Sequence, residues 1–228
     1  MLPKELSNGI CSLNPQEDRL AFSCLCELDK QGNITDYKFA KTVIRSRVKG
    51  VYSEINSLLA GSDDAELKEK YADVSGQLPI IKELADILYK NKKNRGCPEL
   101  ETSESKLIIN DEDICVGVER RTRGRSEEII EDFMLVANEC AARFGMDNNL
   151  PFVYRIHEEP SDEKLESLRE ALVKLNVQYK LGEKACPGDM SEILKAAKGT
   201  DIDLIMNNIV LRSMSKARYS TEPVGHFG

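Results

Sequence analysis

The chain has 228 residues, 41% of them hydrophobic and 31% charged, with 32 basic against 39 acidic side chains and a net charge of −7. The apolar fraction is too high for a disordered tail, and 14 Gly with 8 Pro are too few for a low-complexity chain. Taken as an average, the acidic balance argues against a nucleic-acid binder, which usually presents a basic surface.

Lys4, Glu5 and Asn8 interrupt the N-terminus, so no secretory signal is expected. No stretch approaches the roughly 18 apolar residues that a membrane span needs. Cys11, Cys24, Cys26, Cys97, Cys115, Cys140 and Cys186 follow no regular spacing, and His157 and His226 are isolated in sequence. The set does not spell a metal site and reads as reduced, mostly buried thiols of a cytoplasmic protein.

In chain order, residues 1–15 read as an irregular segment. Residues 19–29 and 34–47 alternate as strands around the turn Gln31-Gly32-Asn33, which predicts a β-hairpin. Helical periodicity then predicts helices over 51–60, 63–73 and 78–93, the last with Ile80, Ile81, Leu84, Ile87 and Leu88 on its apolar side. A second hairpin pairs 106–110 with 114–121 across Asp111-Glu112-Asp113. The strongest helix spans 126–144, with Ser126 as N-cap and an apolar stripe of Ile130, Phe133, Met134, Ala137, Ala141 and Phe144. A short strand at 152–156 and helices at 161–175, 189–198 and 201–218 complete one α+β body: a mixed, mainly antiparallel sheet with packed helices. The segment beginning in a turn and ending in a loop suggests a domain cut at both ends.

No G-x-S-x-G, Walker or G-x-G-x-x-G pattern occurs. Asp63-Asp64 and Asp111-Glu112-Asp113 lie in predicted turns, where acids cap and solvate, and Asp201 and Asp203 read as helix N-terminal charges.

Charge is distributed unevenly. Residues 37–52, 120–125 and 205–220 hold five, four and three basic residues and no acid, so the rest of the chain is more acidic than the average. On a strand, Lys41, Arg45, Arg47 and Lys49 share one face. Arg120, Arg121, Arg123 and Arg125 precede the strongest helix, and on a helix Arg212 and Lys216 share a face. These are either solvated faces or contacts to nucleic-acid backbone phosphates. Glu131 and Asn138, seven residues apart on one helix stripe, either tie helix to loop or read a hydroxyl that both donates and accepts, such as a ribose 2′-OH.

Five collinear blocks then carry a family resemblance: MLPKELSNGICSLNPQEDRLAFSC, ITDYKFAKTVIRSRVKGVYSEI, IIEDFMLVANECAARF, FVYRIHEEPSDEKLESLREAL and VLRSMSKARYSTEPVGHFG. Together they resemble the middle of the catalytic (RNB) domain of the ribonuclease R / ribonuclease II family of 3′→5′ exoribonucleases, with details nearer ribonuclease R. The resemblance implies processive hydrolysis of single-stranded RNA to nucleoside 5′-monophosphates, with Mg²⁺ as cofactor. It also implies that residues 1–228 are a partial catalytic domain. The metal-binding portion would precede them, and further catalytic sequence and an S1 domain would follow.

Residue by residue, Tyr52 resembles the family tyrosine near the RNA 3′ end, and Glu131 the acid that with it favours ribose. Asn138 gains only a supporting role, and Leu100 falls near a position where many members carry an RNA-clamping aromatic. The expected RNA-binding set is therefore Tyr52, Glu131, Arg45, Arg47, Arg121, Arg123, Arg212 and Lys216. No catalytic residue or metal ligand is expected in this chain, and no membrane or protein partner. A non-catalytic RNA-binding or scaffold protein that keeps the fold is the second expectation.

Overall fold

The computed structural model describes residues 2–100, 104–121 and 123–227, without the side chains of residues 104, 106, 120 and 121. Two compact units result: Met1–Tyr89 with Arg123–Ala141, and Lys90–Thr122 with Ala142–Gly228. Among the described residues the strands form three separate two-stranded sheets rather than one. Helices fill most of the remainder, so the α+β expectation stands.

The first unit opens with a wide helical turn, Glu5–Ile10, where the sequence reads as irregular. Strand β1 (Asp18–Leu28) pairs antiparallel with β2 (Ile34–Arg45), Asp18 opposite Arg45 and Cys26 opposite Tyr37. Their turn forms because the Asp29 carboxylate accepts hydrogen bonds from the Gln31 and Asn33 amides at 2.8 and 2.9 Å. Gly32 supplies the positive φ of 81° that the turn needs. β2 ends at Arg45, so Arg47 and Lys49 lie past the ladder, contrary to the predicted strand through 47. The alternation of exposed odd-numbered residues nevertheless continues to Lys49.

Helix α1 (Tyr52–Leu59) follows as predicted. The predicted helix 63–73 is two short ones, α2 (Ala65–Lys70) and α3 (Ala72–Ser75), meeting at the buried Tyr71. Asp64 caps α2 by accepting from the Glu66 and Leu67 amides at 2.9 and 3.3 Å. In α4 (Leu78–Asn94), Ala85 and Leu88 are buried and Ile80 is exposed, which rotates the expected apolar face.

Helix α5 (Arg125–Asp147) departs from expectation in two ways. Ser126 lies inside the helix and is buried, so it is not the N-cap. The inward stripe starts from it and runs through Ile129, Phe133, Val136 and Cys140, whereas Ile130, Met134 and Phe144 of the predicted stripe are exposed. Cys140 packs its sulfur 3.7 Å from that of Cys26 in β1. It is the one buried cysteine; Cys11, Cys115 and Cys186 are exposed and the others half-buried, so "mostly buried" does not hold.

In the second unit, β3 (Glu104–Ile109) pairs with β4 (Cys115–Arg121). The Asn110 side chain closes the turn by accepting from the Glu112 and Ile114 amides at 3.1 and 2.9 Å. β5 (Tyr154–Ile156) pairs antiparallel with a strand near the chain end, β6 (Arg218–Ser220), which the sequence reading takes as helix. Between them run α6 (Asp162–Lys174), α7 (Pro187–Ala197) and α8 (Asp203–Ser213).

The predicted helix 201–218 thus stops at Ser213, where long-range partners capture the backbone. Lys164 donates to the Met214 carbonyl at 2.7 Å, and the Ser215 hydroxyl to the Glu159 carbonyl at 2.9 Å. Leu165, Leu168 and Leu172 of α6, Met190, Ile193 and Leu194 of α7, and Met206 and Val210 of α8 form the core. Their i, i+3, i+4 and i+7 spacings put one apolar stripe of each helix inward. Leu100, partly buried, packs against this cluster.

Candidate nucleic-acid interface

In the first unit, the N-terminus of α1 is fixed from two sides. The buried Tyr71 hydroxyl accepts the Val51 amide at 3.1 Å and donates to Glu54, which also accepts Lys70 Nζ at 2.6 Å. Hydrogen bonds from Lys70, then from Tyr71, hold the Glu54 carboxyl below its usual range. On the other side, the Asn56 carboxamide accepts the Ser126 amide at 2.8 Å and donates to Glu127 at 2.9 Å. The Ser126 hydroxyl lies 3.1 Å from the Tyr52 carbonyl, and Glu127 accepts the Gly124 amide at 3.1 Å. Burial would raise the Glu127 pKa, but the Asn56, Ser126 and backbone donors outweigh it and lower it.

Gly124 is required by close approach: a Cβ there would sit 2.1 Å from Asn56 Nδ2, whose amide is already committed at both ends. Tyr52 is therefore held through its backbone while its side chain stays 47% exposed. A rigid, half-exposed aromatic is a suitable platform for a sugar or base.

Glu131 lies one turn beyond Glu127 on α5, as Tyr52 lies one turn before Asn56 on α1. Each expected sugar contact is thus one helical turn from the same Asn56–Glu127 bond. Glu131 is exposed, makes no hydrogen bond to Tyr52, and accepts from Arg123 at 3.2 Å. Because Arg123 lies in the loop before α5, Glu131 makes the helix-to-loop tie expected as one reading, whereas the exposed Asn138 side chain bonds no described residue.

The basic residues divide between the units. In the first, Arg45 donates to Asp18 at 2.7 Å, and Arg47 is exposed with no ion pair among the described residues. Arg125 is a structural cation, paired with Asp86 and Glu128. Arg121 closes β4 of the second unit, and the side chains of Arg120 and Arg121 lie outside the described residues. Arg212 occupies the last turn of α8, and Lys216 follows that helix instead of sharing its face. The two still line one cleft.

Sequence reasoning missed the role of Asn56, Tyr71, Ser126 and Glu127, because it arises mainly from pairing across 17 to 74 residues. It also missed Arg155 and Lys164, which flank the acidic run Glu158-Glu159 and so escape a search for acid-free segments. Among the described residues no cluster of three His, Cys, Asp or Glu side chains could hold a metal ion, so Mg²⁺ finds no fit here. No described helix is long and apolar enough to cross a membrane.

The fold and this surface define the class. Residues 1–228 match the RNB domain throughout, and the chain belongs to that family. Ribonuclease R 1 of Lactococcus lactis is 38% identical over 232 residues, and Ribonuclease R of Escherichia coli 36% over 228. Each alignment covers the whole of this chain, which spans 28% of either relative's length. Among solved structures, Mycoplasma genitalium RNase R matches with a TM-score of 0.90 at 28% identity, over 99% of this chain and 35% of that one. The same agreement is found for that enzyme's apo form and for its complex with ribose methylated single-stranded RNA.

Proposed function

We propose that this chain is the RNA-holding part of a 3′→5′ exoribonuclease that degrades single-stranded RNA processively to nucleoside 5′-monophosphates in the cytoplasm. In this reading residues 1–228 are a portion of its catalytic domain. The observation that carries it is the immobilised backbone and exposed ring of Tyr52, together with Glu131 one turn from the same joint. The similarity to RNase R, solved with single-stranded RNA, supports it.

Tyr52 packs against the 3′-terminal nucleotide and Glu131 accepts the 2′-OH. The exposed Arg123–Glu131 pair costs little to open. On binding, Arg123 turns to a phosphate and frees the carboxylate for the sugar. Arg45, Arg47, Arg121, Arg212 and Lys216 supply further phosphate contacts, and Asn138 supports the Glu131 stripe. Mg²⁺ is the metal the family resemblance implies; bound, it would supply an activated water and charge stabilisation at the leaving oxygen, and its ligands are assigned to residues other than those described. No membrane or protein partner is invoked.

The test is made in the longer protein, on matched RNA and DNA strands. Tyr52→Ala or Glu131→Ala should lower the RNA-to-DNA rate ratio roughly tenfold or more, the worth of one charged hydrogen bond. An unchanged ratio would sink the assignment. The present chain with Mg²⁺ should leave 5′-labelled RNA intact; a ladder of products abolished by EDTA would refute that division of labour.

A further inference from the structure

The second unit contains a cleft of about 560 Å³ lined by Arg155 of β5, Lys164 of α6, Arg212 of α8 and Lys216 after it, with His157 among them. No Asp or Glu lines it. None of these four cations makes an ion pair among the described residues. Lys164 donates to the Met214 carbonyl at 2.7 Å, and the Arg155 guanidinium lies 5.7 Å from the Tyr219 ring centroid. His157 Nε2 is engaged by the Ser215 carbonyl. The next cation along the chain, Arg218, is paired with Glu158 at 2.7 Å and stays out of the cleft.

Four uncompensated positive charges around one hollow repel each other, and in a chain of net charge −7 acids were plentiful enough to neutralise them. An anion relieves that repulsion. Tyr219, 69% exposed, presents a ring next to Arg155, which a free phosphate would not use and an unpaired base would.

We infer that this cleft binds consecutive backbone phosphates of a single RNA strand, with a base stacked on Tyr219. The inference rests on the reading that the chain holds RNA. It adds Arg155, Lys164 and Tyr219 to that reading and joins Arg212 and Lys216 to them as one site.

The test is fluorescence anisotropy of a labelled oligouridylate on the full chain across a salt series. Arg212→Gln with Lys216→Gln should weaken binding roughly tenfold and make the slope of log affinity against log salt shallower by about 1.4, two single-strand phosphate contacts. Tyr219→Ala should weaken binding several-fold at unchanged slope. Lys174→Gln with Lys195→Gln removes the same charge from cations already paired with Glu170 and Glu192, and should change neither quantity. All variants should keep the parent's circular dichroism, since the replaced side chains are at the surface.

Binding by the parent with an unaltered slope in the cleft double variant would overturn the cleft and leave the broader reading intact. Binding of inorganic phosphate without binding of the oligonucleotide would overturn the strand proposal. The Tyr52 and Glu131 test can fail separately, because it reads sugar preference rather than salt slope.

Discussion

In the first unit α1 is held to α5 by Tyr52, Asn56, Ser126 and Glu127, atom to atom, at 2.8 to 3.1 Å. In the second, α6, α7 and α8 are held by Leu168, Met190, Ile193, Met206 and Val210, all fully buried. The second arrangement supplies energy, because apolar burial is roughly proportional to area and has no direction. The first supplies position, because hydrogen bonds fix distance and angle while adding little net stability. The residues proposed to contact the sugar, Tyr52 and Glu131, lie beside the directional joint, and the buried apolar residues of α6, α7 and α8 are elsewhere in the chain. Positioning and stability should therefore be separable by mutation.

The largest effect should come from the apolar side. Leu168→Ala should destabilise the protein by about 2–5 kcal/mol, read from urea denaturation. A loss under about 1 kcal/mol would mean that the core does not anchor the three helices.

Asn56→Ala should cost about 1–3 kcal/mol and also lower sugar discrimination in the longer protein, although Asn56 is not assigned to touch RNA. Gly124→Ala should reproduce the loss of discrimination by displacing the Asn56 amide. If either variant lost stability while discrimination held, the joint would be ordinary packing.

The smallest effect concerns pH. The Tyr179 hydroxyl is pushed up to about 12, first by its hydrogen bond to Asp189 at 2.6 Å and then by burial. A raised acid stabilises the fold fully below its ordinary value of about 10 and loses that contribution as pH climbs to about 12. Tyr179→Phe should therefore remove one component of the stability loss over that window and leave the neutral-pH titration unchanged. An unaltered alkaline limb would mean that the hydroxyl contributes nothing there.

The same contrast explains what was legible in the sequence. The first hairpin was, because its turn is written locally in Asp29, Gly32 and Asn33. So was α6, expected over 161–175 and found over Asp162–Lys174. The rotation of α5 was not. Its sequence offers two apolar registers one residue apart, and the choice is made by Ser126 meeting Tyr52 and Asn56, residues 74 and 70 positions away.

The end of α8 was misread for a similar reason, since Lys164 captures the Met214 carbonyl over 50 residues. Arg212 and Lys216 do line one cleft, but through the path of the chain after Ser213 and not through helical spacing. Tyr52 was proposed from family resemblance and Glu131 from its helix stripe and then that resemblance; nothing local in the sequence showed that Tyr71 and Ser126 bond the backbone around Tyr52.

The pairing of β5 with β6 brings Ile156 opposite Arg218. Every cation of the cleft is carried at or within this excursion, from Arg155 to Lys216, with three helices between its ends. Closing so long a loop has an entropic cost that only the completed helical core can offset. On the ribosome, the nascent chain can display Arg155 and Lys164 as soon as they emerge, but the cleft forms only after Ser220 has cleared the exit tunnel. Synthesis itself thus sets the moment at which the proposed strand-binding surface is first complete.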